Sequence, residues 1–181
     1  MKQNGNQSNK AIFLDRDGVI NKVILKNNKP YSPLLFKDFV INEQIPNLLE
    51  FLKMKGFLLI VITNQPEIKR KNLKYTELNQ MHEFIKSHLK VDAIYCCDHD
   101  DDDGCSCRKP DIGLFKKAQK DFNISNKISY MIGDRYKDMI AAKNFGCKSV
   151  LINKNYDEKI IPGDYEVVDH KDLKNLFMGL V

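Results

Sequence analysis

Asp15 and Asp17 stand two residues apart in the stretch FLDRDGVI, directly after the apolar run that ends at Leu14. Along an extended chain residues i and i+2 face the same way, so the two carboxylates are expected to share a site while Arg16 points elsewhere. Gly18 then lets the backbone turn sharply. Such a pair either stops a strand or does chemistry. A carboxylate can attack phosphorus and form an aspartyl-phosphate, dividing one hard hydrolysis into two easier steps. Asp15 is the candidate nucleophile. Asp17 is the candidate acid and base, a role that calls for a pKa raised toward the working pH while Asp15 stays ionised.

Two carboxylates and a phosphate repel one another, so a divalent cation is required, and Mg2+ suits carboxylate and phosphate oxygens. Asp134 would complete its carboxylate set with Asp138 in support. Lys109 and the Thr63 hydroxyl would offset charge on the phosphoryl oxygens. These residues are far apart in the sequence, so the fold must gather them. Apolar runs of strand length occur at 11–14, 57–62, 93–95, 130–132 and 149–152. Helical apolar faces lie between them: Ile45, Leu48, Leu49 and Leu52; Leu78, Met81, Phe84, Ile85 and Leu89; Leu114, Phe115 and Ala118. Strands alternating with helices predict a three-layer, doubly wound parallel α/β sheet of Rossmann type. Ligands bind at the carboxyl ends of such strands. Those ends carry Asp15 and Asp17, then Thr63-Asn64-Gln65, then Arg108-Lys109, then Gly133-Asp134-Arg135.

Four of the five cysteines fall in the stretch CCDHDDDDGCSC. In a reducing compartment clustered thiols more often hold metal than form disulfides. Cys97, His99, Cys105 and Cys107 make a four-ligand set of the kind that binds structural Zn2+, with Cys96 able to replace Cys97, and free thiols or a disulfide as the other reading. A calcium loop fails, because one started at Asp98 would need glycine at Asp103 and glutamate at Lys109. The acids are read as a solvated loop tip. A metal-clamped loop would hold Arg108 and Lys109 in place, with the metal organising the site rather than reacting. Cys147 is read as core.

With 43% hydrophobic and 29% charged residues the chain has the composition of a folded globular protein. Residues 1–9 read as a loose tail and 10–181 as a single domain with a metal-binding loop at 97–107. The opening MKQNGNQSNK has no apolar core region and the run 57–62 is too short to span a bilayer, so a cytoplasmic location without membrane contact is expected. The net charge of +5 comes from scattered lysines without a dense basic block, which favours a small anionic ligand over nucleic acid. Lys22, Lys26, Lys29, Lys69 and Arg70 would meet a second phosphate or are ordinary surface cations. A monomer is expected.

The order and spacing of FLDRDG, VITNQ, CRKP and IGDRYKD resemble the four motifs of the haloacid dehalogenase (HAD) superfamily of phosphohydrolases. The resemblance implies Asp15 as nucleophile and Asp17 as acid and base. It further implies Thr63 and Lys109 as phosphate ligands, and Asp15, the Asp17 backbone carbonyl and Asp134 as Mg2+ ligands. The pattern C-x-H…C-x-C-R-K-P resembles the branch holding heptose 1,7-bisphosphate phosphatases and histidinol-phosphate phosphatases. It implies Cys97 as the fourth Zn2+ ligand and Asn64, Arg108 and Arg135 as substrate contacts. The resemblance favours a sugar bisphosphate that loses its 7-phosphate, with histidinol phosphate as the rival. PEIKRK follows TNQ where that branch has a glycine-rich continuation, and Arg135 stands where lysine is common. The short spans between motifs leave no room for a large cap domain, so specificity falls to the flap 21–33, the segment 65–71 and the metal loop. A receiver-like phospho-acceptor module is the reading from another class. It would place its acceptor on a strand midway along the chain, after an adjacent acidic pair on the first strand, whereas here Asp-x-Asp follows the first strand and a cysteine cluster is present besides.

Overall fold

The computed structural model describes residues 8–181, so residues 1–7 of the expected tail lie outside the described residues. Asn9, assigned to that tail, belongs to the fold: it bridges to Ile124, and its amide N–H donates to the Asn123 carbonyl at 2.9 Å.

Six strands form one sheet: β1 (Ala11–Leu14), β4 (Leu58–Asn64), β5 (Ala93–Cys97), β6 (Tyr130–Gly133), β7 (Lys148–Ile152) and β8 (Tyr165–Val167). Their order is β5-β4-β1-β6-β7-β8 and every pairing is parallel. Residues of a strand alternate between the two faces, and here both faces are covered. On β1, Ala11 and Phe13 enter one core with Leu114, Phe115 and Phe145, while Ile12 and Leu14 enter the other with Leu48, Leu52 and Phe177. Helices α3 (Gly113–Phe122) and α4 (Tyr136–Phe145) cover the first face; α1 (Ile45–Met54), α2 (Tyr75–His88) and α5 (His170–Leu180) cover the second. The apolar face expected on α1 is buried as a set, each side chain stabilising the fold by roughly 1.5–3 kcal/mol.

Two strands lie outside this sheet. Ile24–Lys26 (β2) and Lys29–Tyr31 (β3) make an antiparallel hairpin across the carboxyl edge. Asn27 and Asn28 turn it with positive φ of 50° and 55°, as a two-residue hairpin matching the strand twist requires. This hairpin is the expected flap, and no cap domain accompanies it. Among the described residues no helix is long and apolar enough to cross a membrane.

Candidate active site

β1 sits between β4 and β6, so the ends of the three strands open on one place. Asp15 follows β1, Asp134 follows β6, and Asp138 comes from the first turn of α4. One oxygen from each lies within 4.8 Å of the others, and all three residues are buried. Gly133 and Gly18 allow this crowding. A Cβ on Gly133 would collide with the Asp138 side chain, and one on Gly18, whose φ is +89°, would fall on Asp134 Oδ2. Lys109 reaches in from beyond the cysteine loop, its Nζ 2.8 Å from Asp15 Oδ1 and 2.6 Å from Asp138 Oδ1. The Arg16 amide also donates to Asp15 Oδ1 at 2.8 Å, which leaves Oδ2 without a donor among the described residues.

Three carboxylates face one ammonium, so full ionisation would leave an excess of two negative charges in a buried place. The titration behaviour follows. Burial, with Asp15 and Asp138 beside it, lifts Asp134 well above the usual carboxylate range despite the hydrogen bond from Tyr156. Burial lifts Asp15 to about 6 against the pull of Lys109. Burial opposes the Lys109 charge, yet Asp138 and Asp15 outweigh it and hold the ammonium above its ordinary range. Asp134 Oδ1 is buried with no partner. An oxygen-only donor set with a surplus of two charges and an orphaned oxygen fits a hard divalent cation.

Asp17 departs from expectation in two ways. Arg16 does not point elsewhere: its fully buried guanidinium folds back on Asp17, with Nη2 2.9 Å from both carboxylate oxygens and Nε 3.2 Å from Oδ1. The i, i+2 alternation fails because β1 ends at Leu14 and the chain is already turning. Asn21 Nδ2 (2.9 Å), Ser32 Oγ (2.8 Å) and Gln65 Nε2 (2.7 Å) complete the ring of donors. Burial raises the Asp17 pKa, but Arg16 and the amide donors outweigh it, and the net shift is downward. The expected order of the two acids is therefore reversed, with Asp15 raised and Asp17 lowered. His82 supports the arrangement. Burial and Arg16 depress its pKa to about 4, so its neutral Nε2, 3.4 Å from Arg16 Nη1, accepts from the guanidinium.

An open cleft runs from Asp15 and Asp17 under the hairpin, past Asn64 and Lys109, to Arg135 and Lys137. Asn64 uses its amide on the Lys109 backbone, accepting from its N–H and donating to its carbonyl, both at 3.0 Å. Thr63 is fully buried behind Gln65, whose Nε2 donates to Oγ1 at 2.9 Å, and it does not line the cleft. Arg108 also lies off the lining, donating from Nε to Asp101 Oδ1 at 2.8 Å. Arg135 lines the cleft and is gripped by Glu158, Nη2 to Oε2 at 2.5 Å. Sequence reasoning missed Lys137, which shares Asp101 Oδ1 with Arg108 at 2.9 Å, and missed Tyr156 and Glu158 altogether. The only available signal for Lys137 was its place two residues after Arg135, just beyond the end of β6.

The acidic loop is not a bare solvated tip. Asp100 caps a short turn and pairs with Arg70, Asp103 pairs with Lys69, and Asp101 joins Arg108 and Lys137. Lys69 and Arg70 are thereby drawn to this loop rather than to the cleft. Below the tip, Cys97, His99, Cys105 and Cys107 gather, with Sγ–Sγ distances of 3.1, 3.4 and 3.7 Å and His99 Nδ1 3.3 Å from Cys107 Sγ. The edge of a tetrahedron drawn with metal–sulfur bonds of ~2.3 Å is about 3.7 Å, so the four atoms nearly trace a metal cage. All five cysteines are free thiols. Alternation along β5 sends Cys97 into the cluster and Cys96 to the opposite face, which resolves the choice between them.

An acid at the end of a central parallel strand, with a lysine and two further acids closing on it, defines a phosphoryl-transfer site. The HAD-hydrolase-like family model matches residues 106–170. The chain is 36% identical over 151 residues to a D-glycero-beta-D-manno-heptose-1,7-bisphosphate 7-phosphatase of Helicobacter pylori, covering 80% of this chain and 84% of that one. It is 35% identical over 176 residues to the D-glycero-alpha-D-manno-heptose-1,7-bisphosphate 7-phosphatase of Campylobacter jejuni, covering 93% and 95%. The fold matches a D,D-heptose 1,7-bisphosphate phosphatase from B. bronchiseptica solved with magnesium and phosphate, at a TM-score of 0.81 and 24% identity over 95% of this chain and 99% of that one. The chain belongs to the HAD-like hydrolases and is a phosphoric monoester hydrolase.

Proposed function

We propose that this enzyme removes the 7-phosphate from a heptose 1,7-bisphosphate with the help of Mg2+. The observation that carries the reading is the surplus of negative charge around Asp15, Asp134 and Asp138, two of which, Asp15 and Asp138, line an open cleft that also holds Lys109, Arg135 and Lys137. The names of relatives sharing over a third of their residues across most of the chain support the substrate.

Asp15 Oδ2 attacks phosphorus, the bond from phosphorus to the sugar oxygen breaks, and Asp17 gives that oxygen a proton. Water then gives a proton to Asp17 and attacks phosphorus, releasing inorganic phosphate and regenerating the Asp15 carboxylate. Asp17 is ionised while ringed by Arg16, Asn21, Ser32 and Gln65. An arriving phosphate dianion raises its pKa, and exchange of the Ser32 or Gln65 donor for the leaving oxygen lets it take up a proton from solvent water and pass it to that oxygen. Lys109 neutralises Asp15 and the phosphoryl oxygens. Asp15 and Asp134, with the Asp17 backbone carbonyl, would hold Mg2+, which would supply charge neutralisation to the transferring group. Asp138 anchors Lys109. Arg135, with Lys137, receives the distal phosphate, and Asn64 shapes the wall beside it, with Thr63 and Arg108 supporting from behind the lining. Cys97, His99, Cys105 and Cys107 hold structural Zn2+, and the fixed loop positions Lys109 two residues beyond the last ligand. The enzyme acts as a soluble monomer in the cytoplasm.

The test is phosphate release from α- and β-heptose 1,7-bisphosphates, their monophosphates and histidinol phosphate, with Asp15→Asn alongside. The bisphosphates are expected to give the highest kcat/KM and Asp15→Asn less than about a thousandth of the rate. Preference for histidinol phosphate would overturn the substrate, and an active Asp15→Asn the nucleophile.

A further inference from the structure

The connection from β7 to β8 carries no helix, and the HAD motifs do not reach it, yet it touches the site twice. Tyr156, 8% exposed, donates its hydroxyl to Asp134 Oδ2 at 2.9 Å. Two residues on, Glu158 takes Arg135 in a two-pronged pair. The same segment is fastened to the flap: the Asp157 N–H donates to the Asn28 carbonyl at 3.0 Å, and Asn28 Nδ2 donates to the Asn155 carbonyl at 2.8 Å.

We infer that Tyr156 is a positioning residue that fixes the Asp134 carboxylate so that Oδ1 alone remains for a divalent cation. The inference rests on the proposed Mg2+ site and goes beyond it, because no HAD motif includes Tyr156. A carboxylate on a short side chain can rotate and present either oxygen. Here one oxygen is occupied by a phenol that can only donate to an ionised acceptor, and the other is buried without any partner. Gly18 closes the remaining side of Oδ2, where even a methyl group would not fit. Asp134 is thus held in one orientation before the cation arrives, and the cation is spared the entropy of ordering it. Tyr156 is held in turn by the hydrogen bonds that join its loop to the flap, so closure of the flap over the substrate and orientation of Asp134 share one set of contacts.

The test is calorimetric titration of Mg2+ alone into the full zinc-loaded chain, for wild type, Tyr156→Phe and Asp134→Asn, with thermal melts at zero and saturating Mg2+. Loss of a hydrogen bond to a charged group predicts about ten-fold weaker Mg2+ binding in Tyr156→Phe. It also predicts a smaller upward shift of Tm on adding Mg2+, while the metal-free melt stays cooperative. Binding within two-fold of wild type overturns the inference. So does a Tyr156→Phe chain that fails to fold without Mg2+, since the hydroxyl would then belong to the fold rather than to the cation site. If Asp134→Asn binds Mg2+ as wild type does, the proposed site itself is wrong and the inference falls with it.

Discussion

Arg16→Met tests whether the reversed order of the two acids is a property of the fold. The methionine keeps most of the apolar stem and removes the cation from a fully buried place. Asp17 retains Asn21, Ser32 and Gln65 but loses the charge that neutralises it. Removing one partner of a buried pair costs about 3–5 kcal/mol. At 2–4 °C of Tm per kcal/mol in a chain of this size, the midpoint falls by roughly 6–20 °C. A dependence on pH separates this cause from a packing defect. In the wild type the folded pKa of Asp17 lies below 3.8, so its contribution is present above 3.8 and is lost as pH falls through the folded value. Without Arg16, burial becomes the dominant influence and lifts the folded pKa above 3.8. The variant then gains from protonation and loses stability as pH rises through that raised value. Urea denaturation should give a larger deficit at about pH 7 than at about pH 4.5. Adding Asp17→Asn to Arg16→Met should restore about half of the loss, because no unpaired charge remains buried. A deficit under about 1 kcal/mol, a deficit equal at both pH values, or a double variant no steadier than the single one would each refute the reasoning.

Two further outcomes follow from the same geometry. If the proposed Zn2+ site is occupied, Cys107→Ser should lower the zinc content of the purified chain and depress kcat, because Lys109 lies two residues beyond the lost thiol; a fully active, zinc-free variant, with metal content read by atomic absorption, would refute it. His170 at the start of α5 is kept neutral by burial and by Lys154, below its ordinary 6.5, while its Nε2–H donates to the Gly18 carbonyl at 2.9 Å. A folded pKa below the unfolded one means full stability above 6.5 and a loss as pH falls. His170→Gln keeps a donor without titrating, so the fall in unfolding free energy below that pH should flatten by up to about 1.4 kcal/mol per pH unit, the remaining dependence belonging to His82, Asp15 and Asp134. An unchanged slope would refute it.

The strand runs and the faces of α1, α2 and α3 were legible because burial imposes a short period on the residues that meet the core. Four of the five strand runs extended further than their apolar residues, since Thr63-Asn64, Cys96-Cys97, Gly133 and Lys148 continue ladders whose side chains are polar or absent. β8, α4 and α5 were not read at all; Tyr165–Val167 is only three residues long and carries a glutamate, too little pattern to register. Asp15, Asp17 and Asp134 were legible because each follows a strand end, where topology decides position, and Lys109 because the cysteine loop after β5 leads back to that edge. What surrounds them was not. Arg16 was misplaced because strand alternation was carried one turn too far, and Asn21 and Ser32 meet Asp17 only through the turn and flap. Tyr156 and Glu158 come from a loop whose path no local pattern specifies.

The site divides into two charge systems that the fold treats differently. Asp17 and Arg16 balance each other, and four side chains close the ring without any ligand. Asp15, Asp134, Asp138 and Lys109 do not balance, and the excess negative charge is held together by strands β1 and β6, whose residues are buried throughout. Mutual repulsion of buried carboxylates opposes folding, so this half of the site draws on the stability of the sheet centre. The same repulsion makes the half a receptor for a cation, because any charge that enters relieves a cost already incurred. The Asp17 half stays preformed and the Asp15 half is completed by what binds. Asp15, the proposed nucleophile, stands between them with one oxygen tied to Lys109 and the Arg16 amide and the other free, and belongs to both.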